Sequence, residues 1–538
     1  MPSFRQRATI SRVATSSAVD TRQNRSWHLL ERFPARAVWL AGAAGFAFYW
    51  IVARAVIQSI TIDEADAYNF FVWRPNPSHW EASSVNHLLN SLLMRLFVGQ
   101  FGLSAVTVRL PSLIGAAIYI VASYCLVRLI ADEWFLRWPL LVCFVYNPFV
   151  MDYLVAGRGY SLGVACLLAA VALAAGATVP RDGKEIPAHR SPYRTGCYCS
   201  LLAALSFCAT FSFAVVDAVT MFFIFLAFAR ERGVRLGRLA LCCILPGLLL
   251  TAFLAGSILV DFRQISLAWG AKTLGETAQS VITASYYEPN PYLLNPPLYR
   301  FIVEWQWLLL PLLAATCVAH LFAIWHGGRS LITPKSRWIS AVGVSAAAIL
   351  FVALGIHRLM YRIGRILMPL GRRAVFIVPL CMLAIGAALA LRVASRRGRW
   401  IRGAALGMLW ATAAYFICCL RSTYFMEWKY NADAKELYSA IAHYNHTCGV
   451  QDIGVNWRYV SVLNFYRVLS GYETFPEITG ESKPVLAEYT LGKPLYVIHF
   501  ASDMPFIDRE KLKVVYHSDV SDAAVAVRPE IESDNCRP

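Results

Sequence analysis

The sequence predicts a polytopic α-helical membrane protein of about eleven transmembrane helices, with a small α/β domain outside the membrane at its C-terminal end. Three observations predict it. The 538 residues are 57% hydrophobic and 15% charged, with a mean hydropathy of +0.49, which is more apolar than a water-soluble core of this size requires. Apolar runs recur at the length that crosses a bilayer, about 17 to 25 residues each. After residue 426 the composition changes to that of an ordinary soluble domain.

The N-terminal tail, residues 1–36, is rich in Arg and Ser/Thr and poor in acids. An organellar transit peptide shares that composition, but a cytoplasmic tail ahead of a first span fits the positive-inside bias better. Spans are expected near 37–58, 110–130, 134–151, 159–179, 239–260, 304–325, 338–356, 374–391 and 403–420. The run 196–229 is long for one helix and short for two. Lys and Arg decide it, because they are retained on the cytoplasmic side. As a helical hairpin, 196–229 leaves 25 of the 50 Lys and Arg residues in cytoplasmic segments; as one span it puts 230–238, 329–337 and 392–402, with 4, 3 and 5 of them, outside. Eleven spans follow, with the N-terminus inside and everything after residue 420 outside. The same topology accounts for the net charge of +17 without any nucleic-acid partner.

The first outer loop holds SVNHLLNSLLMRLFV, in which Leu88, Leu92 and Leu96 recur at helical spacing opposite Asn86, His87, Asn90 and Arg95. That pattern predicts a helix lying in the membrane interface. In the tail, 427–538, DAKELYSAIAHY and VSVLNFYRVL have helical periodicity, while VQDIGVNW, PLYVIHF, LKVVYH and AAVAVRP read as strands. Most of the 14 cysteines sit in apolar runs as small hydrophobes. Only Cys448 and Cys536 lie in the polar tail, where they could form one disulfide.

Candidate chemistry gathers on the outer side. Asp63, Glu64 and Asp66 follow the first span, where desolvation can turn a carboxylate into a working base; a solvated loop start is the plainer alternative. Asp152 follows the Asn147-Pro148 break, and Arg158 and Tyr160 stand at the mouth of the next helix. Residues 357–373 carry Arg358, Arg362, Arg365, Arg372 and Arg373 against the positive-inside bias, so an anion is expected to compensate them. Guanidinium forks suit phosphate. An acid cluster and an arginine cluster beside apolar helices call for a substrate with a phosphate, a lipid tail and a hydroxyl-bearing partner. No P-loop, GxSxG, HExxH or nucleotide-binding glycine pattern competes. A transporter or flippase for a lipid-linked or anionic substrate is the rival reading, and it predicts mid-membrane polar groups and a repeat.

The segments IDEADAY, VNHLLNSLLMRLFVGQFGLSAVTVRLPSLIGA, NPFVMDYLVAGRGYSLG and LMPLGRRAVFIVPL resemble the dolichyl-phosphate-mannose protein mannosyltransferases, glycosyltransferase family 39, and their bacterial relatives in the GT-C superfamily. The resemblance implies a GT-C catalytic domain over 37–426 in a bacterial inner membrane, with its active site facing outward. It implies a polyprenyl-phosphate sugar as donor, an acceptor hydroxyl on protein, lipid or glycan, an inverting transfer and no required cofactor, although some relatives hold a divalent cation. By resemblance Asp63 is the base, Glu64 places sugar or acceptor, Asp152 is the second acid, and Arg158 with Arg372 or Arg373 holds the carrier phosphate. Tyr160 and Arg365 are further candidate donor contacts. Asp66, Asn86 and His87 are candidate contacts to either substrate; many relatives carry a histidine pair and a proline where this chain reads Asn86-His87-Leu88.

Overall fold

The computed structural model describes residues 35–73, 86–180, 191–231, 233–259, 270–327, 333–393, 395–471, 476–479, 489 and 491–533. Nearly all of the tail expected over 1–36, and Cys536, lie outside the described residues. The chain is a polytopic α-helical membrane protein carrying a small α/β domain outside the membrane region. The first span, α1 (Ala35–Ile57), leads into a short helix, α2 (Ile62–Asp66), a π-helical turn (Ala67–Val72) and α3 (Leu88–Phe101). α4 (Ala105–Ile130) crosses back, and α5 (Trp134–Val145) with α6 (Pro148–Val155) return as a pair bent by 52°. Asn147 caps α6 through its side chain and Pro148 occupies the first turn, so the bend has a local cause.

Next come α7 (Tyr160–Thr178), α8 (Pro192–Ala209), α9 (Ala214–Ala229) and α10 (Leu236–Leu259). The run 196–229 is broken at Thr210 into two helices, as the charge distribution predicts. Ser206 bonds to the carbonyl of Gly163 and Cys199 to that of Ala170, so α8 runs antiparallel to α7. Among the described residues nine helices are long and apolar enough to span, or ten with the bent pair counted. The eleventh of the expected set, α8, falls short in apolarity but lies alongside α7 and α10.

After α11 (Leu274–Ser285) the bundle is completed by α12 (Pro296–Gly327), α13 (Pro334–Gly364), α14 (Ile377–Ala390) and α15 (Arg396–Cys418). The structure corrects one boundary here. The segment 357–364, expected in an outer loop, continues α13 to a length of 31 residues. At about 1.5 Å per residue that exceeds the roughly 30 Å hydrocarbon layer. The helix stops where Arg365 takes a left-handed conformation at φ 57°.

Ion pairs in the bundle sort into two rims. Arg54 with Asp152, Arg109 with Glu64 and Arg372 with Asp63 mark one; Arg392 and Arg402 with Glu133, and Lys335 with Asp132, mark the other. The second rim carries 128–137, 333–337, 392–393 and 395–402, which lie in segments that the charge bias assigns to the cytoplasm.

The final domain consists of α16 (Ala434–Cys448), β1 (Ile453–Val455), α17 (Trp457–Leu469), β2 (Leu495–His499), α18 (Phe500–Glu510), β3 (Lys513–His517), β4 (Ala523–Val527) and α19 (Pro529–Ser533). Its sheet has the order β1-β2-β4-β3, with β1 and β2 parallel and the other pairs antiparallel. Alternate residues explain the all-apolar β4: Ala523, Val525 and Val527 pack toward α16 and α17, Ala524 and Ala526 toward α18. Cys448 is disulfide-bonded, and the other twelve described cysteines are free thiols. This domain does not stand apart from the membrane helices. Ile60, Ala65, Tyr68 and Val108 share one apolar core with α16, α17 and the sheet.

Candidate active site

The first-rim site is built on the short helix after α1. Thr61 caps α2 in a reciprocal box with Glu64, which fixes the backbone that presents Asp63. Glu64 is fully buried, and its carboxylate accepts from Arg109 Nε at 2.7 Å, Arg109 Nη2 at 2.8 Å, the Thr61 N–H at 2.9 Å and the Gly157 N–H at 2.5 Å. Arg109 donates its remaining bonds to the carbonyls of Ala55, Gln58 and Ser59. Burial alone would raise the Glu64 pKa, but Arg109 and the backbone donors hold it below the usual value. The carboxylate is saturated, which makes Glu64 a lock between α1, α4 and the 156–159 turn. The contact to sugar or acceptor expected of it has no free oxygen to use.

Asp63 is different. Its carboxylate pairs with Arg372, lies 3.9 Å from Arg158 Nη2, and keeps some solvent exposure. Arg158 also donates to the Asp63 carbonyl at 2.8 Å and is itself buried. Burial pushes the Asp63 pKa up, and the charges of Arg158 and Arg372 outweigh it and leave it lowered. Arg372 is in turn shared with Glu427 at 2.9 Å and lies 5.7 Å over the Trp428 ring. Glu427 accepts from the Tyr153 hydroxyl. The resulting chain, Asp63 to Arg372 to Glu427 to Tyr153, joins four distant segments.

Arg158 is positioned by a Gly157-Arg158-Gly159 turn that only small residues permit. A Cβ on Gly159 would sit 1.9 Å from the Ala209 carbonyl oxygen and 2.8 Å from the His87 ring. His87 Nδ1–H donates to that same carbonyl at 2.9 Å, which leaves Nε2 as a buried acceptor with no partner among the described residues. Burial first, then Arg158, keeps this imidazole neutral by lowering its pKa well below the ordinary value. The His87 ring contacts Tyr160 at 4.6 Å, and Tyr160 contacts Tyr153 at 5.4 Å. Asn90 bonds the Gly157 carbonyl, and Asn86 accepts from Ser91. Asn86 Nδ2, Asn90 Oδ1 and Arg158 Nε are further buried atoms without a partner among the described residues. Asn86 and the N-cap His87 before α3, and Asn90, Leu88, Ser91 and Met94 within it, are buried in the protein, and Leu96 is exposed.

The other expected residues are placed elsewhere. Asp152 accepts from Arg54 at 2.7 Å, from the Tyr287 hydroxyl and from the Met426 N–H at 2.9 Å, so it anchors the segment before Glu427 and forms no ion pair with the guanidiniums at Asp63. Asp66 accepts from Ser461 of α17 at 2.5 Å, and its pKa is raised, by burial first and despite that bond. It joins the C-terminal domain to the site. Arg365 is exposed and stacks over Tyr361 at 5.9 Å at the end of α13. Arg373 is half-buried next to Arg372, which makes the pair with Asp63. Sequence reasoning missed Arg54, Arg109, Tyr153 and Glu427. Arg54 and Arg109 carried a legible signal, since arginines at the outer ends of apolar runs oppose the positive-inside bias as Arg372 does. Glu427 sits at a domain boundary and carried none. Among the described residues no three His, Cys, Asp or Glu side chains converge in metal-binding geometry.

No family model matches the sequence, and no curated protein matches it. Among solved structures the chain is similar to ArnT from Cupriavidus metallidurans bound to undecaprenyl phosphate, with a TM-score of 0.47 and 11% identity over 92% of this chain and 99% of that one. The apo state of ArnT from Cupriavidus metallidurans gives a TM-score of 0.38 and 10% identity over 93% and 99%. Arabinofuranosyltransferase AftD from Mycobacteria gives 0.37 and 13% over 78% of this chain and 29% of that one.

Proposed function

We propose that this chain is a GT-C-type glycosyltransferase of the bacterial inner membrane that moves a sugar from a polyprenyl-phosphate carrier to an acceptor hydroxyl at the outer face. The observation that carries the reading is the Asp63 carboxylate set between Arg158 and Arg372 at one rim of the bundle. A base and two phosphate-binding cations in one place are the parts such a transfer needs. The sequence resemblance of the segments around Asp63, His87, Arg158 and Arg372 supports it.

In this reading the carrier phosphate engages Arg158 and Arg372, whose guanidiniums stabilise it as the leaving group. The same event shares their charge with the phosphate and restores basicity to Asp63, which the two cations otherwise suppress. The acceptor oxygen attacks the anomeric carbon, its proton passes to Asp63, and the bond from that carbon to the phosphate oxygen breaks. Single displacement inverts the anomeric centre. The polar atoms of Asn86, His87 and Asn90 that have no partner among the described residues are acceptors and donors suited to sugar hydroxyls. Transfer needs no cofactor in this scheme.

The test is purified protein against a panel of polyprenyl-phosphate monosaccharides, reading release of free polyprenyl phosphate. Release with at least one donor, lost in Asp63→Asn, is expected. Inactivity toward every donor and acceptor class would shift the assignment to a lipid transporter.

A further inference from the structure

We propose that a groove at the rim opposite Asp63 is a binding site for an anionic phospholipid of the cytoplasmic leaflet. α4, α7 and α8 enclose a cleft of about 920 Å³ that runs along the bundle between Ala117 and Leu129 of α4, beside Ala169–Ala177 of α7 and Ser191–Tyr198 of α8. Its lining is mainly apolar and includes the small residues Ala122, Ala169, Ala172, Gly176 and Ala177. Val121 and Leu173, which line it, are exposed side chains.

Charge identifies the occupant. Arg128 and Arg194 stand at the end of the cleft, both exposed, the first 5.7 Å over Tyr124 and the second 5.5 Å over Tyr198 with its Nε 2.9 Å from that hydroxyl. Neither forms an ion pair with a carboxylate among the described residues. Their neighbours on the same rim do: Arg392 and Arg402 are taken by Glu133, and Lys335 by Asp132. Two guanidiniums with no carboxylate partner among the described residues, at the end of an apolar cleft, match a head-group phosphate with an acyl chain below it. The Lys and Arg bias puts this rim in the cytoplasmic leaflet, whose anionic lipids are diacyl phospholipids. The site is separate from the glycosyl-transfer reading and does not depend on it.

Purified full-length protein titrated with phosphatidylglycerol, phosphatidylcholine or a polyprenyl phosphate, with bound lipid counted by native mass spectrometry, tests the proposal. Wild type is expected to hold phosphatidylglycerol about tenfold more tightly than phosphatidylcholine. Arg128→Ala with Arg194→Ala, both exposed, should abolish the preference. Ala172→Phe, which fills the cleft and keeps both charges, should weaken phosphatidylglycerol binding by a similar factor. No preference in wild type, or full binding by Ala172→Phe, would overturn the site. Tighter binding of the polyprenyl phosphate than of phosphatidylglycerol would overturn the choice of occupant.

Discussion

Asp63 and Arg372, 309 residues apart in the chain, form an ion pair at one rim of the helical bundle. One belongs to the short helix after the first span and the other to the 3-10 turn (Gly371–Ala374) that opens α14. The turn is held against α11 by Ser280 accepting from the Gly371 N–H, and the strand-like residues before each are joined by paired backbone bonds between Ala271 and Met368. The guanidinium is therefore delivered to the carboxylate by a braced segment.

If Asp63 takes the acceptor proton, Asp63→Asn keeps the shape and removes the base. Transfer should fall by about 10² to 10⁴-fold, the usual contribution of a positioned base, with expression and melting temperature little changed. Steady-state release of polyprenyl phosphate measures it, and retained turnover would remove Asp63 from that role.

Arg372 and Arg373 are adjacent, but Arg372 makes the pair with Asp63. Arg372→Ala should raise the donor KM by about tenfold to a hundredfold, as expected for loss of a charge-assisted bond, and Arg373→Ala should do much less. Equal effects would mean that the ion pair does not mark the phosphate site.

Glu427 competes for the same guanidinium nitrogen at 2.9 Å. Glu427→Gln should lower the donor KM, since a neutral amide releases Arg372 to the phosphate more readily than a carboxylate does. Donor titrations on the variant and wild type decide the direction; a raised KM would make Glu427 part of the binding surface.

The Glu64–Arg109 pair should govern stability and leave chemistry alone. Glu64→Ala strands a fully buried guanidinium, at a cost of about 3 to 5 kcal/mol, and should reduce folded yield. Because the folded Glu64 pKa lies below the ordinary 4.5, its stabilisation is complete above that pH and is lost as pH falls through the lowered value. Thermal melts of wild type should therefore decline in acid below about pH 4.5 and stay level with respect to this group above it.

Gly159→Ala places a methyl group 1.9 Å from the Ala209 carbonyl oxygen. The α7–α8 contact must open to admit it, which also displaces His87 from that carbonyl. Loss of both folded yield and activity is expected; a variant with wild-type melting behaviour and turnover would show that the turn is not tight in the membrane.

The sequence by itself determined the membrane architecture, because span length and Lys/Arg placement are one-dimensional properties. The break of 196–229 into two helices, the helix that follows Asn86 and His87, and the strands of the C-terminal domain were all legible from periodicity and charge. Tertiary structure decided how the acids divide their work. Asp63 and Glu64 are neighbours in an IDEAD segment, where the spacing from Thr61 marks Glu64 locally only as a capping-box residue; α4 then brings Arg109 to saturate Glu64, while Arg372 and Arg158 reach Asp63. Glu427 and Tyr153 joined the site only through packing of distant segments. Hydrophobic pattern fixes which residues enter the membrane; which charge meets which depends on contacts between elements hundreds of residues apart, and no local pattern records those.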